Sequence, residues 1–173
     1  MKQRIVAIAL GGFCLGGGGP LWAAGQVELT TRVSGVVEEV LVKPGQRVKK
    51  GVLLLRLDKT VLQARLDEAT AEQARADADE EDAGRDLERA EELFNRTVSS
   101  TSELEAATLR HTRAKAALSV ASARRVIAQK NLADAELRAP FNGVVRSVPG
   151  GPGTVVTADC QPKPLVVLDS AQP

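Results

Sequence analysis

Apolar residues recur through the middle of the chain at alternating intervals of four and three. One stretch runs from Thr60 to Arg96 and another from about Thr101 to Glu136. So narrow a stripe is typical of a coiled-coil seam rather than of a helix that covers a globular core. The pattern predicts two helices, each roughly 55 Å long, packed as an antiparallel hairpin. The seam positions are Leu62, Leu66, Ala69, Gln73, Ala76, Glu80, Ala83, Leu87, Ala90 and Phe94, and then Leu104, Ala107, His111, Ala114, Leu118, Ala121, Arg125, Ala128, Leu132 and Ala135.

The position of the turn sets the register of this hairpin. If the chain reverses at residues 98–100, residues whose numbers sum to about 198 lie opposite each other. Gln73 then faces Arg125, and such a polar layer can fix the register at some cost in stability. His111 is placed at the seam edge, near Leu87. Because Ala dominates both seams, the helices are expected to approach closely.

Gly84 is the one Gly of the helical segment. It costs the first helix roughly 1 kcal/mol relative to Ala. The residue allows either a slight bend or a close contact, and the sequence does not choose between them.

Short apolar runs separated by Gly and Pro flank the helical segment on both sides, a rhythm that predicts short β-strands and tight turns. About thirty residues of short strands bury too little surface to fold alone. We therefore expect residues 26–58 and 137–170 to pack face to face as one interlocked β domain, with the hairpin 59–136 inserted between them. The two sides share one motif, which reads Gly35-Val36-Val37, Pro44-Gly45, Val48, Leu54 and Leu57-Asp58 in the first copy and Gly143-Val144-Val145, Pro152-Gly153, Val156, Leu165 and Leu168-Asp169 in the second.

Composition narrows the possible functions. Aromatic residues are 2% of the chain and Tyr is absent, so a large aromatic-lined pocket cannot form. The formal net charge is +1, and basic residues alternate with acidic ones along the helices, which gives no clustered basic surface for nucleic acid. The sequence carries no nucleotide loop, catalytic triad or metal cluster, and His111 is its sole His. We expect a protein that is not an enzyme.

The N-terminus has the features of a secretory signal peptide. Lys2 and Arg4 precede the apolar run 5–15, and small residues follow up to Gly25. The run is shorter than the ~20 apolar residues of a membrane span. Removal of residues 1–25 and export to the periplasm or cell envelope are therefore favoured over an uncleaved anchor.

The two cysteines predict no disulfide. Cys14 follows the bulky Phe13, whereas lipoprotein signals carry a small residue there, which argues against lipidation. Cys160 is then the only thiol of the exported chain.

The repeated motif resembles a known family. Through Gly45-x-x-Val48, Gly51 and Leu54-x-x-Leu57-Asp58, the first copy is similar to the first half of a biotinyl/lipoyl-like domain. The stretch 138–145, Arg-Ala-Pro-Phe-Asn-Gly-Val-Val, resembles the start of the second half in periplasmic adaptor proteins, also called membrane fusion proteins. The resemblance implies an α+β fold, a lipoyl-like β-sandwich (barrel-sandwich hybrid) interrupted by a long antiparallel α-helical coiled-coil hairpin.

Lys59 is the candidate for cofactor attachment. In carrier domains of this type an exposed turn between the halves presents a Lys for biotin or lipoate, and Lys59 directly follows Leu57-Asp58. Here a hairpin replaces that turn, so an ordinary Lys at a helix start is favoured. No cofactor is expected, and a biotin or lipoate carrier is the least favoured alternative.

A second resemblance lies at the turn, near residues 97–101. Arg89, Leu93 and Ser100 have the spacing of the tip motif by which adaptors of tripartite efflux systems engage an outer-membrane duct of the TolC type. Arg89 and Leu93 are four residues apart and share one helix face, with Leu93 off the seam. Ser100 and Glu103 also form a capping box, which by itself accounts for both residues.

The family resemblance implies a periplasmic adaptor that bridges an inner-membrane transporter of unknown class to a TolC-type duct. It also implies a homo-oligomer of copies side by side, without a nucleic-acid partner. Such adaptors usually continue into a β-barrel and a membrane-proximal domain, so an end at Pro173 predicts a short or partial adaptor. The alternative is a coiled-coil scaffold of the cell envelope with no direct transport role.

Overall fold

The computed structural model describes residues 25–97, 100–158 and 163–170. Residues 1–24 of the predicted signal peptide, which include Cys14, and also Cys160 lie outside these residues. Two long helices stand between two groups of short strands. The helices are α1 (Thr60–Asn95) and α2 (Thr101–Asp134), and the strands are β1 (Gln26–Leu29), β2 (Gly35–Val40), β3 (Arg47–Val48), β4 (Leu53–Leu57), β5 (Glu136–Arg138), β6 (Gly143–Ser147), β7 (Val155–Val156) and β8 (Val166–Ser170).

The strands form two four-stranded antiparallel sheets, with the orders β1-β8-β6-β3 and β5-β4-β2-β7. Each sheet takes two strands from before the hairpin and two from after it. The expectation that one copy of the motif packs face to face on the other is therefore incomplete. Each of the two sheets contains strands from both copies. The predicted fold class is confirmed, a barrel-sandwich hybrid interrupted by an antiparallel helical hairpin.

The sequence repeat reappears as a repeat of strand pairs. Gly35 of β2 pairs with Val156 of β7. Their counterparts in the other copy, Gly143 of β6 and Val48 of β3, pair in the same way. Both pairs join strands from opposite sides of the hairpin. The two halves are thus related by an approximate twofold repeat of structure as well as of sequence.

The hydrogen bonds beside these pairs follow the same repeat. The Val37 amide donates to the Thr154 carbonyl at 2.9 Å, and the Val145 amide donates to the Gln46 carbonyl at 2.9 Å. Both donors are fully buried. A buried amide without an acceptor is costly, so neither half can satisfy its own backbone without the other.

Two turn glycines position these contacts. Gly45 has φ of 85° and Gly153 has φ of 83°, in the left-handed region that favours Gly. In this conformation the Gly45 amide donates to the Val145 carbonyl at 2.7 Å, and the Gly153 amide donates to the Val37 carbonyl at 2.8 Å. Each turn therefore adds a further bond from one half to the other.

The core lies between the two sheets and continues into the base of the hairpin. Leu62 near the start of α1 and Ala135 just after α2 belong to the same buried cluster as the sheet residues. Full burial of one Leu or Val contributes about 1.5–3 kcal/mol. The largest fully buried side chains are Leu54, Leu55, Leu57, Leu165, Leu168, Val37, Val145 and Val166.

The two helices pack along the predicted seams. Every seam position from Leu62 to Ala90 and from Leu104 to Ala135 is buried or half-buried. The predicted register is confirmed, because Arg125 Nε donates to Gln73 Oε1 at 2.5 Å across the interface. With 36 residues, α1 extends about 54 Å. Among the described residues, neither helix is long and apolar enough to cross a membrane.

His111 is half-buried in the seam, and the structure gives its partners. Its Nε2 lies 3.0 Å from Glu80 Oε1. A methyl group added at Gly84 would lie 3.8 Å from the same nitrogen. The imidazole therefore sits beside Gly84, about one helical turn nearer the β domain than Leu87. This contact gives Gly84 a packing role in the hairpin.

Replacing Gly84 by Ala should stabilise the protein. The added methyl group makes an ordinary van der Waals contact with His111, and Ala favours a helix over Gly by about 1 kcal/mol. We expect the midpoint of thermal unfolding to rise by roughly 2–4 °C.

Gly45→Ala is the matched control for this prediction. Space is also free around Gly45, but its positive φ strains any side chain, so this variant should unfold at a lower temperature than the parent. A midpoint for Gly84→Ala at or below the parent value would contradict the assigned contact.

Candidate functional site

The hairpin tip is formed by the end of α1, a short turn and the start of α2. After α1 ends at Asn95, the Thr97 amide donates to the Phe94 carbonyl at 2.9 Å. Thr97 has φ of 60°, a left-handed conformation that often ends a helix and that Thr rarely adopts. The chain therefore leaves α1 abruptly, and α2 begins at Thr101.

Ser100 caps the start of α2. Its Oγ accepts a hydrogen bond from the Glu103 amide at 3.3 Å, and its own amide donates to Glu103 Oε2 at 3.1 Å. This is the predicted capping box. Ser100 is nonetheless exposed, so it belongs both to the cap and to the surface of the tip.

Two adjacent apolar side chains face solvent at the end of α1. Leu93, predicted to lie off the seam, is 44% exposed. Phe94 was predicted to close the seam, but it is 39% exposed. Its predicted partner Leu104 lies in α2 and is half-buried, so the last layer of the seam is covered only in part. The sequence pattern could not predict the exposure of Phe94, because periodicity does not show how completely the opposing helix covers the end of the seam.

Arg89 lies one turn before Leu93 on the same helix face. Its guanidinium contacts the Asp86 carboxylate, which also accepts from Arg110 of α2 at 3.4 Å. The Arg89 side chain is 64% exposed, and an exposed pair of this kind contributes about 1 kcal/mol at most. Arg89 can therefore exchange Asp86 for another acceptor at small cost. Sequence reasoning missed Asp86, although its spacing of three from Arg89 is a signal for such a pair.

The three predicted tip residues come to the same end of the hairpin and all are exposed. Arg89 and Leu93 share one face of α1, while Ser100 lies across the turn. Chemically this is an apolar side chain next to a guanidinium and a helix cap. Such a surface can insert a Leu into a groove between helices and donate to carbonyl or carboxylate oxygens there.

Lys59 lies at the other end of the hairpin, where α1 leaves the β domain. Its ammonium contacts the Glu136 carboxylate, to which Arg138 also donates at 2.6 Å. Arg138 donates in turn to the Gly51 carbonyl at 3.0 Å. Lys59 thus ties α1 to β5, as expected for a structural Lys. Sequence reasoning missed Glu136, although residues two apart in a strand share a face, as Glu136 and Arg138 do.

Hydrogen bonds at this junction lower the pKa values of two carboxyl groups, those of Glu136 and Asp58. The hydrogen bond from Lys59, with a further one from Arg138, lowers the pKa of Glu136. The Thr60 amide donates to Asp58 Oδ1 at 2.8 Å and lowers the pKa of Asp58. Both carboxylates are therefore ionised near neutral pH and hold the start of the hairpin.

Across the ranges that the structure describes, no group of three or more His, Cys, Asp or Glu side chains could hold a metal ion.

Comparison with protein families identifies the class of this chain. The family model of the RND MFP barrel-sandwich hybrid domain matches residues 25–169. RND denotes resistance, nodulation and division, and MFP denotes membrane fusion protein. The chain therefore belongs to the RND membrane fusion proteins, a family of periplasmic adaptors of efflux systems. A search of curated protein sequences found no match.

Solved structures agree with this assignment. A candidate efflux transporter from Bacteroides eggerthii is 27% identical, with a TM-score of 0.53 over 87% of this chain and 41% of its own. A MacA-MexA chimera that carries the α-hairpin domain of Pseudomonas aeruginosa MexA is 25% identical, with a TM-score of 0.54 over 84% of this chain and 46% of its own. A membrane fusion protein from Streptococcus pneumoniae R6 shares the fold at 20% identity, with a TM-score of 0.63 over 84% and 59%. This chain thus spans between two fifths and three fifths of the length of these structures.

We expect Glu136→Gln to weaken the junction and to remove part of the pH dependence of stability. The pKa of Glu136 is lowered in the folded state. Its pairing therefore stabilises the protein above the unfolded pKa of about 4.3 and is lost as the pH falls through the lower, folded value. The variant should be about 1 kcal/mol less stable than the parent near neutral pH.

Urea unfolding of parent and variant at neutral and acidic pH measures this difference. It should shrink as the pH falls below the pKa of an unfolded Glu. The exposed Glu38→Gln is the control and should change stability little at either pH. A difference for Glu136→Gln that is the same at both pH values would contradict the pairing.

Proposed function

We propose that this protein is a periplasmic adaptor subunit that joins an inner-membrane transporter to an outer-membrane duct of the TolC type. Residues 1–25 direct export, residues 26–58 and 137–170 form the base, and the hairpin 59–136 forms the arm. Arg89, Leu93 and Ser100 at the tip engage the duct. Copies of the chain stand side by side around the transport path.

The observation that carries this proposal is the exposure of Leu93 at the far end of the arm. The arm is about 54 Å long and its tip is the point most distant from the β domain. Leu93 is 44% exposed there and Phe94 lies beside it. Burial of one such side chain in a partner groove would contribute about 1.5–3 kcal/mol.

Arg89 adds direction to this apolar contact. Its guanidinium shares the face of Leu93 and has only a weak surface pair with Asp86 to give up. A charged donor beside an apolar side chain suits a groove between helices where carbonyl or carboxylate oxygens are accessible. The likeness to a chimera with the MexA hairpin also supports a role for this arm.

Exchange of Leu93 for Asp tests the tip directly. The charge would have to be buried without a partner in an apolar groove, which costs several kcal/mol, so capture of a co-expressed TolC-type duct should be lost. The readout is photo-crosslinking in cells from a probe at Arg96, with circular dichroism of the purified variant. The helical signal should be unchanged because Leu93 is exposed.

Two matched variants separate binding from folding. Val61→Asp changes a residue that is 61% exposed at the opposite end of α1, about 48 Å away, and should leave duct capture intact. Leu87→Asp places the charge in the seam, so it should loosen the distal hairpin and reduce helicity. Normal crosslinking of Leu93→Asp would reject the tip assignment and favour the envelope scaffold.

A further inference from the structure

A small groove lies between the two helices near the base of the hairpin, with a volume of about 220 Å³. Ala69 and Ala128 face each other there, because their numbers sum to about 198 and they belong to one layer of the seam. Two alanines fill a layer only in part, so a depression remains between the helices. We call it the basal groove. Its lining includes Leu62, Arg65 and Ala69 from α1 and Arg124, Ile127 and Ala128 from α2.

Two arginines of the basal groove lack a charged partner. Arg65 and Arg124 are both exposed, and no acidic residue lines the groove with them. Glu68 and Glu72 line the surface beyond it, and Glu72 is already paired with Arg75 at 3.0 Å. Among the residues that the structure describes, neither Arg65 nor Arg124 forms an ion pair or a side-chain hydrogen bond. Both guanidinium groups therefore keep all their donors for a ligand.

Apolar surface continues from the basal groove towards the β domain. A second groove of about 610 Å³ adjoins it and shares Leu62 and Arg65. Val61 and the cross-strand pair of Val36 in β2 with Val155 in β7 line this second groove. All three valines are exposed. The two grooves thus form one open channel with large apolar side chains along it.

Charge is distributed unevenly along this channel. Arg32 and Asp58 line its basal end with opposite charges, so the excess positive charge lies at Arg65 and Arg124. Guanidinium groups bind planar carboxylate and phosphate groups through paired hydrogen bonds. A ligand that complements the channel therefore has an anionic group at one end and an apolar body at the other.

We propose that the channel binds a small amphiphilic anion. Its carboxylate or phosphate group lies between Arg65 and Arg124, and its apolar body extends past Leu62 to the exposed valines. The basal groove, at about 220 Å³, has room for about seven groups of the ~30 Å³ that a water molecule occupies, enough for a head group and the first carbons of a chain. The site lies about 42 Å from Leu93 along α1, so this binding is separate from duct engagement and does not depend on it.

Isothermal titration calorimetry of the purified protein measures this binding. Octanoate and octyl phosphate carry the two head groups on the same chain, and octylammonium reverses the charge. Each anion should bind at a single site per chain and about tenfold or more tightly than octylammonium, because only the anions pair with the two guanidinium groups. The tighter of the two anions identifies the preferred head group. Inorganic phosphate, which has no apolar body, should bind more weakly than octyl phosphate.

Single substitutions locate the site. Arg65→Gln and Arg124→Gln should each weaken anion binding by about tenfold, since each removes hydrogen bonds to a charged group. Arg113→Gln is the matched control, because it removes the same charge from an exposed Arg of α2 about 16 Å from Arg124. Ile127→Ala should weaken binding several-fold through lost apolar contact, whereas Val120→Ala, about 10 Å away along α2, should not. Circular dichroism should show the same helicity for every variant.

The remaining outcomes would overturn the proposal. Equal affinities for octanoate and octylammonium would show adsorption to apolar surface without charge recognition. Equal losses for Arg124→Gln and Arg113→Gln would show attraction to general surface charge, and a helical parent that binds neither anion has no such site. Affinity that falls as the protein concentration rises would show that a neighbouring copy fills the channel instead. Leu93→Asp should bind the anions like the parent, whether or not it captures the duct.

Discussion

Backbone hydrogen bonds between the two β halves are the interaction on which the rest of the structure depends. The buried amides of Val37 and Val145 each donate to a carbonyl of the other half, and each sheet contains strands from both. These bonds close the two layers over the core. The core in turn holds Leu62 and Ala135, the two points where the hairpin enters and leaves the base. An arm about 54 Å long therefore has a rigid base because two distant segments of chain pair there.

The arm itself is held together by little buried surface. The few buried residues within its helices include small alanines such as Ala76 and Ala121. The polar pairs of Gln73 with Arg125 and of His111 with Glu80 help to fix the register but bury little apolar surface. Local stability is expected to be lowest at the tip, where Leu93 and Phe94 are exposed. The proposed binding residues lie at the weakly packed end, where adjustment to a partner costs least.

The sequence predicted the parts of this fold that depend on periodicity. The four-three seam predicted two helices and the facing of Gln73 and Arg125, and the repeated Gly-Val-Val motif predicted one shared β domain. Periodicity assigns residues to faces but does not assign partners, so the exchange of strands between layers was missed. The Glu136 network, the exposure of Phe94 and the contact of His111 with Glu80 were missed for the same reason, because each depends on tertiary packing.

Native-state hydrogen exchange on the intact chain tests the interlocked base most directly. The amides of Val37 and Val145 bond across the halves in equivalent positions, so both should exchange only through global unfolding, with the same free energy. Amides of the distal hairpin should exchange at lower free energies. A clearly lower exchange free energy for one of the two amides would show that one half opens while the other stays folded, and would contradict the account.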